Sequence, residues 1–147
     1  TLAILKRELP DLVIHEVPTG TQVFDWVIPP EWSIRDARLT GPSGETVLDY
    51  AESNLHVIGY SDPVDLVLSR EELESHLHSI EDQPTAIPFV TSYYHDRWGF
   101  CLPHAMRERL PDGDYHAIIN SEKKSGSLSL GELIIPGSVS DEIFLST

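Results

Sequence analysis

Residues 31–50 read EWSIRDARLTGPSGETVLDY, and this stretch decides the fold class. Trp32, Ile34, Ala37 and Leu39 mark one strand, with an imperfect alternation of apolar and polar side chains. Gly41-Pro42-Ser43-Gly44 turns the chain, because glycine and proline supply the backbone angles of a tight reversal. Glu45 to Tyr50 returns as the hairpin partner. Pro29-Pro30 closes the segment before it, since neither proline can donate to a ladder.

The flanks read in the same way. Leu2, Leu5 and Leu9 sit at near-helical spacing until Pro10 stops the run, as in the last turns of a helix. Val13 to Val17 is a strand, Pro18-Thr19-Gly20 a turn, and Thr21 to Ile28 a further β-type segment. Leu55 to Tyr60 and Val64 to Leu68 are apolar runs separated by Asp62-Pro63. Ser69-Arg70-Glu71-Glu72 is a capping box, and Leu73, Leu77 and Ile80 are expected to continue it as a short helix. Ile87 to Thr91 and Trp98 to Leu102 read as strands around a polar connection. His104 to Leu110 reads as a short helix, and Asp112-Gly113 as a turn before the strand Tyr115 to Asn120. Ser125 to Ile135 is expected as a long strand, Pro136-Gly137 as a turn, and Glu142 to Thr147 as a final strand. About ten short strands and two or three short helices make the class α+β, mainly β, with the helices peripheral. Both termini read as cut through elements that should continue.

Composition narrows the function classes. A length of 147 residues fits one domain, and 40% hydrophobic with 23% charged residues is a globular balance. The net charge of −14 repels phosphate backbones and anionic lipid, so neither nucleic acid nor membrane is an expected partner. It suits a cationic group such as a peptide amino terminus. One cysteine, Cys101, permits no intrachain disulfide and fits a reducing, cytoplasmic setting. Its neighbours Phe100 and Leu102 place it in a buried strand, as an inert small hydrophobe.

Catalytic signatures are sparse. Neither a dinucleotide glycine pattern nor a P-loop occurs. Gly126-Ser127-Leu128-Ser129-Leu130-Gly131 has the wrong spacing for a nucleophile elbow and lies in a strand pattern. Seven histidines raise the question of metal. His15-Glu16 lacks the second histidine of a zincin helix, and His76 and His78 on a helix would point apart into solvent. His56 and His116 read as satisfied core or edge residues, and His95-Asp96 as a loop pair. No catalytic or metal-ligating set is assigned. The candidate groove is Tyr93, Tyr94, His95, Arg97 and Trp98, where aromatic faces stand beside polar groups.

Several phrases together resemble a known family. They are His15-Glu16-Val17-Pro18-Thr19-Gly20-Thr21, Val23-Phe24-Asp25-Trp26, Glu31-Trp32-Ser33-Ile34-Arg35-Asp36-Ala37 and Asn54-Leu55-His56-Val57. Pro63-Val64-Asp65, Pro88-Phe89-Val90-Thr91-Ser92-Tyr93-Tyr94, Trp98-Gly99-Phe100-Cys101-Leu102, Gly131-Glu132-Leu133-Ile134-Ile135-Pro136-Gly137 and Phe144-Leu145-Ser146-Thr147 complete the set. The chain resembles bacterial aminopeptidase-like proteins that carry a domain of unknown function inserted near the start of a zinc-exopeptidase fold.

The resemblance implies an inserted β-rich domain over residues 20–110. Residues 1–17 and 113–147 would be the first helix and strands of an α/β zinc-exopeptidase sheet. It also implies that the metal-ligand segment lies beyond Thr147, so zinc belongs to the full-length parent and the chain alone is expected to be inactive. The expected role is a non-catalytic portion of a zinc metallopeptidase, a hydrolase of peptides, that shapes the active-site mouth. Its partner would be the rest of its own peptidase domain, or a second copy in a homo-oligomer. The alternatives are a protein-interaction or oligomerisation module, and a carbohydrate- or small-ligand-binding module built on the aromatic cluster.

Overall fold

The computed structural model describes residues 1–146. In chain order the elements are α1 (Leu2–Glu8), β1 (Val13–Pro18), β2 (Gln22–Val23), β3 (Trp26–Val27), β4 (Glu31–Thr40) and β5 (Thr46–Asp49). A 3-10 turn (Asn54–His56), β6 (Val64–Ser69), α2 (Arg70–Glu74), β7 (Leu77–His78), β8 (Phe100–Cys101) and α3 (His104–Arg107) follow. The series closes with β9 (Asp114–Lys124) and β10 (Ser127–Glu132). The fold is α+β and mainly β. By its internal contacts the chain divides into two units, Pro29–Ser125 and a second one made of Thr1–Ile28 with the segment from Gly126 onward. The resemblance implies an inserted domain over residues 20–110; β9 pairs within the sheet of the larger unit.

In the larger unit an antiparallel sheet runs in the order β5-β4-β9-β6. The imperfect alternation of β4 has a direct cause. Its register against β9 shifts between Ile34, opposite Ser121, and Asp36, opposite Asn120. Arg35 is therefore an extra residue, a β-bulge, and it resets the side-chain phase by one. Trp32 and Ile34 before it, and Ala37 and Leu39 after it, consequently share the inner face. Without the bulge one of the two pairs would turn to solvent.

Onto that face pack Leu48, Tyr115, Ala117 and Ile119 from the sheet, with Val57, Leu73, Leu77, Phe100 and Leu102 from the chain that covers it. Leu39, Leu73, Leu102, Tyr115 and Ala117 have no exposed surface. Burial of this kind is worth ~25 cal/mol per Å² of apolar surface. The 41–45 turn closes β4 onto β5, with Gly44 at φ +83°, a backbone region that side chains with a Cβ disfavour.

Several segments of this unit take a form that local sequence does not settle. Helix α2 stops at Glu74 instead of running through Leu77 and Ile80. Leu77 and His78 instead pair in parallel with Phe100 and Cys101, so tertiary pairing outweighs helical periodicity. Leu55 to Tyr60 is a 3-10 turn followed by single bridges, Val57 to Phe100 and Gly59 to Thr91. Ile87 to Thr91 forms no strand beyond that last bridge, and the following strand is trimmed to β8, leaving Trp98 outside it.

The smaller unit pairs β1 with β10, antiparallel, and closes β2 on β3 as a minimal hairpin. Thr21 to Ile28 is therefore two short strands rather than one, reversed at Phe24, whose φ is +51° and whose side chain is 96% exposed. Leu12 and Ile28 are the buried apolar residues here. The expected strand Ser125–Ile135 is regular only over β10. The expected final strand from Glu142 is not one over residues 142–146, and Thr147 lies outside the described residues. Ile143, Phe144 and Leu145 have no neighbouring strand there and are almost fully exposed. No helix among the described residues is long and apolar enough to cross a membrane.

Candidate ligand cleft

The aromatic site is built on a strained corner of the larger unit. Tyr60 adopts φ +64°, a conformation rare for a bulky residue and costing about 1–3 kcal/mol. Two neighbours hold it. Trp32 from β4 stacks on its ring at 5.9 Å with an interplanar angle of 21°. The Trp32 indole Nε1–H donates to the Ser61 carbonyl at 2.9 Å, and the Ser121 hydroxyl donates to the same oxygen at 2.7 Å.

The facing wall is the 91–97 connection, which is tied down at both ends. The Ser92 N–H donates to the Gly59 carbonyl at 2.7 Å, and the Ser92 hydroxyl to the same oxygen at 3.1 Å. The Arg97 guanidinium donates to the Thr91 carbonyl at 2.9 Å, while the Arg97 carbonyl accepts from the Asp62 N–H at 3.1 Å. The Lys123 ammonium joins the two walls, donating to Asp62 Oδ1 at 2.6 Å and to Asp96 Oδ1 at 2.9 Å. Those carboxylates raise the Lys123 pKa against the opposing effect of partial burial.

Between the walls lies an open cleft of about 320 Å³, lined by Pro30, Tyr60, Tyr93, Tyr94, Asp96 and Lys123 among others. Tyr93 meets Tyr60 edge-on at 4.8 Å and Tyr94 edge-on at 5.0 Å, the geometry that aromatic quadrupoles favour. Partial burial raises the Tyr60 pKa, helped by Glu31, and it raises that of Tyr93, helped by the two neighbouring tyrosines. Both phenols stay neutral at physiological pH. A second recess of about 240 Å³, at the β4 bulge, is lined by Arg35, Asn120, Ser121 and Glu122 and has no aromatic wall.

Of the five expected groove residues, Tyr93, Tyr94 and His95 line the cleft. Arg97 instead fastens the connection. Trp98 stands apart, stacked on His76 at 3.7 Å and edge-on to Phe100 at 6.3 Å, against the core. Tyr60, Ser92, Asp96, Lys123 and the Pro29-Pro30 pair, outside the expected set, also line it. Local sequence marks the proline pair only as a strand stop. Tyr60 meets Tyr93 across 33 positions and Lys123 meets Asp96 across 27, so no local spacing marks either residue.

The histidines do not converge. His56 Nδ1 bonds the Cys101 carbonyl at 2.9 Å in the core, and His116 Nε2 meets Asp65 at 2.6 Å on the outer sheet face. His15 meets Glu132 at 3.1 Å. His76 and His78 are half-buried rather than turned to solvent, because the helix ends at Glu74 and the chain turns at His76 into β7. Burial, with Arg97, Arg107 and His76 nearby, lowers the His78 pKa. His104 Nδ1 lies 2.9 Å from the Ser79 hydroxyl. That hydroxyl also accepts from Arg107 at 3.2 Å, and Arg107 grips Glu74, which makes the group a strut between α2 and α3. Among the described residues no three His, Cys, Asp or Glu side chains are grouped to hold a metal ion.

Comparison with known proteins agrees with the resemblance. Residues 31–122 match a family described as a domain of unknown function, DUF2172. Over all 147 residues the chain is 44% identical to a Clostridium acetobutylicum protein, of which it covers 34%. That protein is provisionally named a polysaccharide biosynthesis protein with an aminopeptidase-like domain. A crystal structure of a protein provisionally called a peptidase, also from Clostridium acetobutylicum, superposes with a TM-score of 0.81 at 44% identity. The match covers 89% of this chain and 31% of that one. The chain thus spans about a third of the length of the relatives it matches.

Proposed function

The chain belongs to the DUF2172 family, a domain of unknown function, and from that membership we propose that it is the non-catalytic portion of an aminopeptidase-like zinc metallopeptidase. The observation that carries this is the 44% identity over the whole chain to a protein about three times as long whose name includes an aminopeptidase-like domain. In this reading the remainder of the parent holds the zinc and hydrolyses the peptide bond. The present residues shape the approach to the active site and help select what enters. A net charge of −14 favours the free amine of a peptide substrate near this surface. The buried lone thiol of Cys101 suits a cytoplasmic setting.

The rest of the peptidase domain is the proposed partner. Ile134, Ile135, Ile143, Phe144 and Leu145 are exposed by 73% to 89%, which supports a surface made to be covered. A second copy of the chain is the alternative cover.

The test uses the full-length parent, with and without residues 29–125, on aminoacyl-nitroanilides and longer peptides. Chelator-sensitive hydrolysis by the intact parent, with an altered KM and length preference after excision, is the expected result. The 147-residue chain alone should bind no stoichiometric zinc in a calorimetric titration. A tight zinc site on that chain with chelator-sensitive hydrolysis would overturn the reading. An intact parent that binds no metal and cleaves nothing would shift it to an interaction module.

A further inference from the structure

We propose that the cleft bounded by Tyr60, Tyr94 and Asp96 binds a neutral saccharide of one or two rings. This goes beyond the peptidase-related reading and does not depend on it. The first ground is the exposed aromatic surface. Tyr94 is 73% exposed, yet it sits in a connection anchored at Gly59, Thr91 and Asp62. A rigid phenol ring open to solvent offers contact area at little conformational cost. The apolar face of a sugar ring can lie against such a surface. The second ground is Tyr60, whose left-handed backbone at φ +64° is over-determined by the Trp32 stack and the Ser61 hydrogen bonds. Strain held in place by its surroundings is typical of ligand clamps.

The polar groups decide the ligand class. Asp96 is paired through Oδ1 to Lys123, and its side chain is 92% exposed. Asp62, Asp96 and Lys123 sum to one negative charge, with the ammonium already shared between two carboxylates. An anionic ligand gains little there. The Tyr60 phenol stays protonated, so it can donate and accept. Sugar hydroxyls also donate and accept, and match that mixture.

A proline-rich peptide fits less well. It binds as an extended helix rising ~3.1 Å per residue along a groove, whereas this cleft is compact, at about 320 Å³. A cleft of about 320 Å³ is at the small end of the range for ligand sites, ~300–1,000 Å³. That limits the occupant to one or two rings.

The experiment titrates the 147-residue chain with cellobiose, maltose and N,N′-diacetylchitobiose, followed by calorimetry and tryptophan fluorescence. A ten-residue polyproline peptide serves as the competing class. Trp32 stacks on Tyr60, so occupancy of the cleft should change its emission. Saturable binding of at least one disaccharide is expected. Tyr94→Ala should weaken it about tenfold or more, Asp96→Asn should weaken it measurably, and Tyr60→Phe should keep the fold while losing part of the affinity. Far-UV circular dichroism checks that each variant is folded. The proposal is overturned if none of the three sugars saturates, if folded Tyr94→Ala and Tyr60→Phe bind as the unmodified chain does, or if the peptide alone binds.

Discussion

The thiol of Cys101 lies between Phe100 and Leu102 with no exposed surface. Burial pushes its pKa up from 9.0 to about 11, against a smaller lowering by a hydrogen bond to the Val90 backbone. The folded chain therefore keeps the proton above pH 9, where the unfolded chain releases it. This contribution to stability is complete below pH 9 and is lost as the pH rises to about 11. Cys101→Ala should flatten the fall in stability across that window, measured by urea unfolding at several pH values. In the native state Ellman's reagent should leave the thiol unmodified at pH 8 and label it once denaturant is added; rapid native labelling would contradict its burial. This residue was legible because its apolar neighbours are adjacent in sequence. Tyr60 was not, because its φ and its Trp32 stack depend on a residue 28 positions away.

Helix α2 shows both what local sequence specifies and where it stops. The capping box is complete: Ser69 Oγ accepts from the Glu72 N–H at 3.3 Å, and Glu72 Oε2 accepts from the Ser69 N–H at 2.8 Å. The Ser69 N–H, and the Ser69 hydroxyl that donates to the same oxygen at 2.8 Å, lower the Glu72 pKa. Ser69→Ala should cost ~1 kcal/mol, a fall in Tm of ~2–4 °C for a chain of this size, read by calorimetry. An unchanged Tm would mean that packing of Leu73 alone sets the helix start. The helix end is a different matter. Leu77 and Ile80 keep helical spacing, yet the His76 carbonyl accepts from the Phe100 N–H at 2.8 Å and draws the chain into β7. Gly99 permits that approach, since a Cβ there would stand 2.7 Å from the His76 carbonyl. The β4 bulge is a similar case: the break in alternation was visible, but its placement at Arg35 is set by the partner strand β9.

The buried residues of the main core run from Ala37 to Ile119, inside the unit Pro29–Ser125. A chain trimmed to residues 29–125 should therefore fold alone, with a cooperative thermal transition and an unchanged near-ultraviolet spectrum. A broad, non-cooperative melt would show that the smaller unit is required. That smaller unit carries the exposed run of Ile143, Phe144 and Leu145, where sequence reasoning expects a strand. Apolar composition marks a segment for burial, but a strand also needs a neighbour with matching register, and residues 142–146 have none. By itself the sequence determined the class, the hairpin at 31–50, the cap at Ser69 and the family, because turn residues, caps and short phrases act over a few positions. Only the tertiary structure decided that Tyr60, Asp96 and Lys123 share a cleft, that Trp98 belongs against the core, and that His76 and His78 turn inward. Each of those outcomes rests on strand pairing between segments far apart in the chain, and such pairing leaves no period or spacing for a local reading to detect.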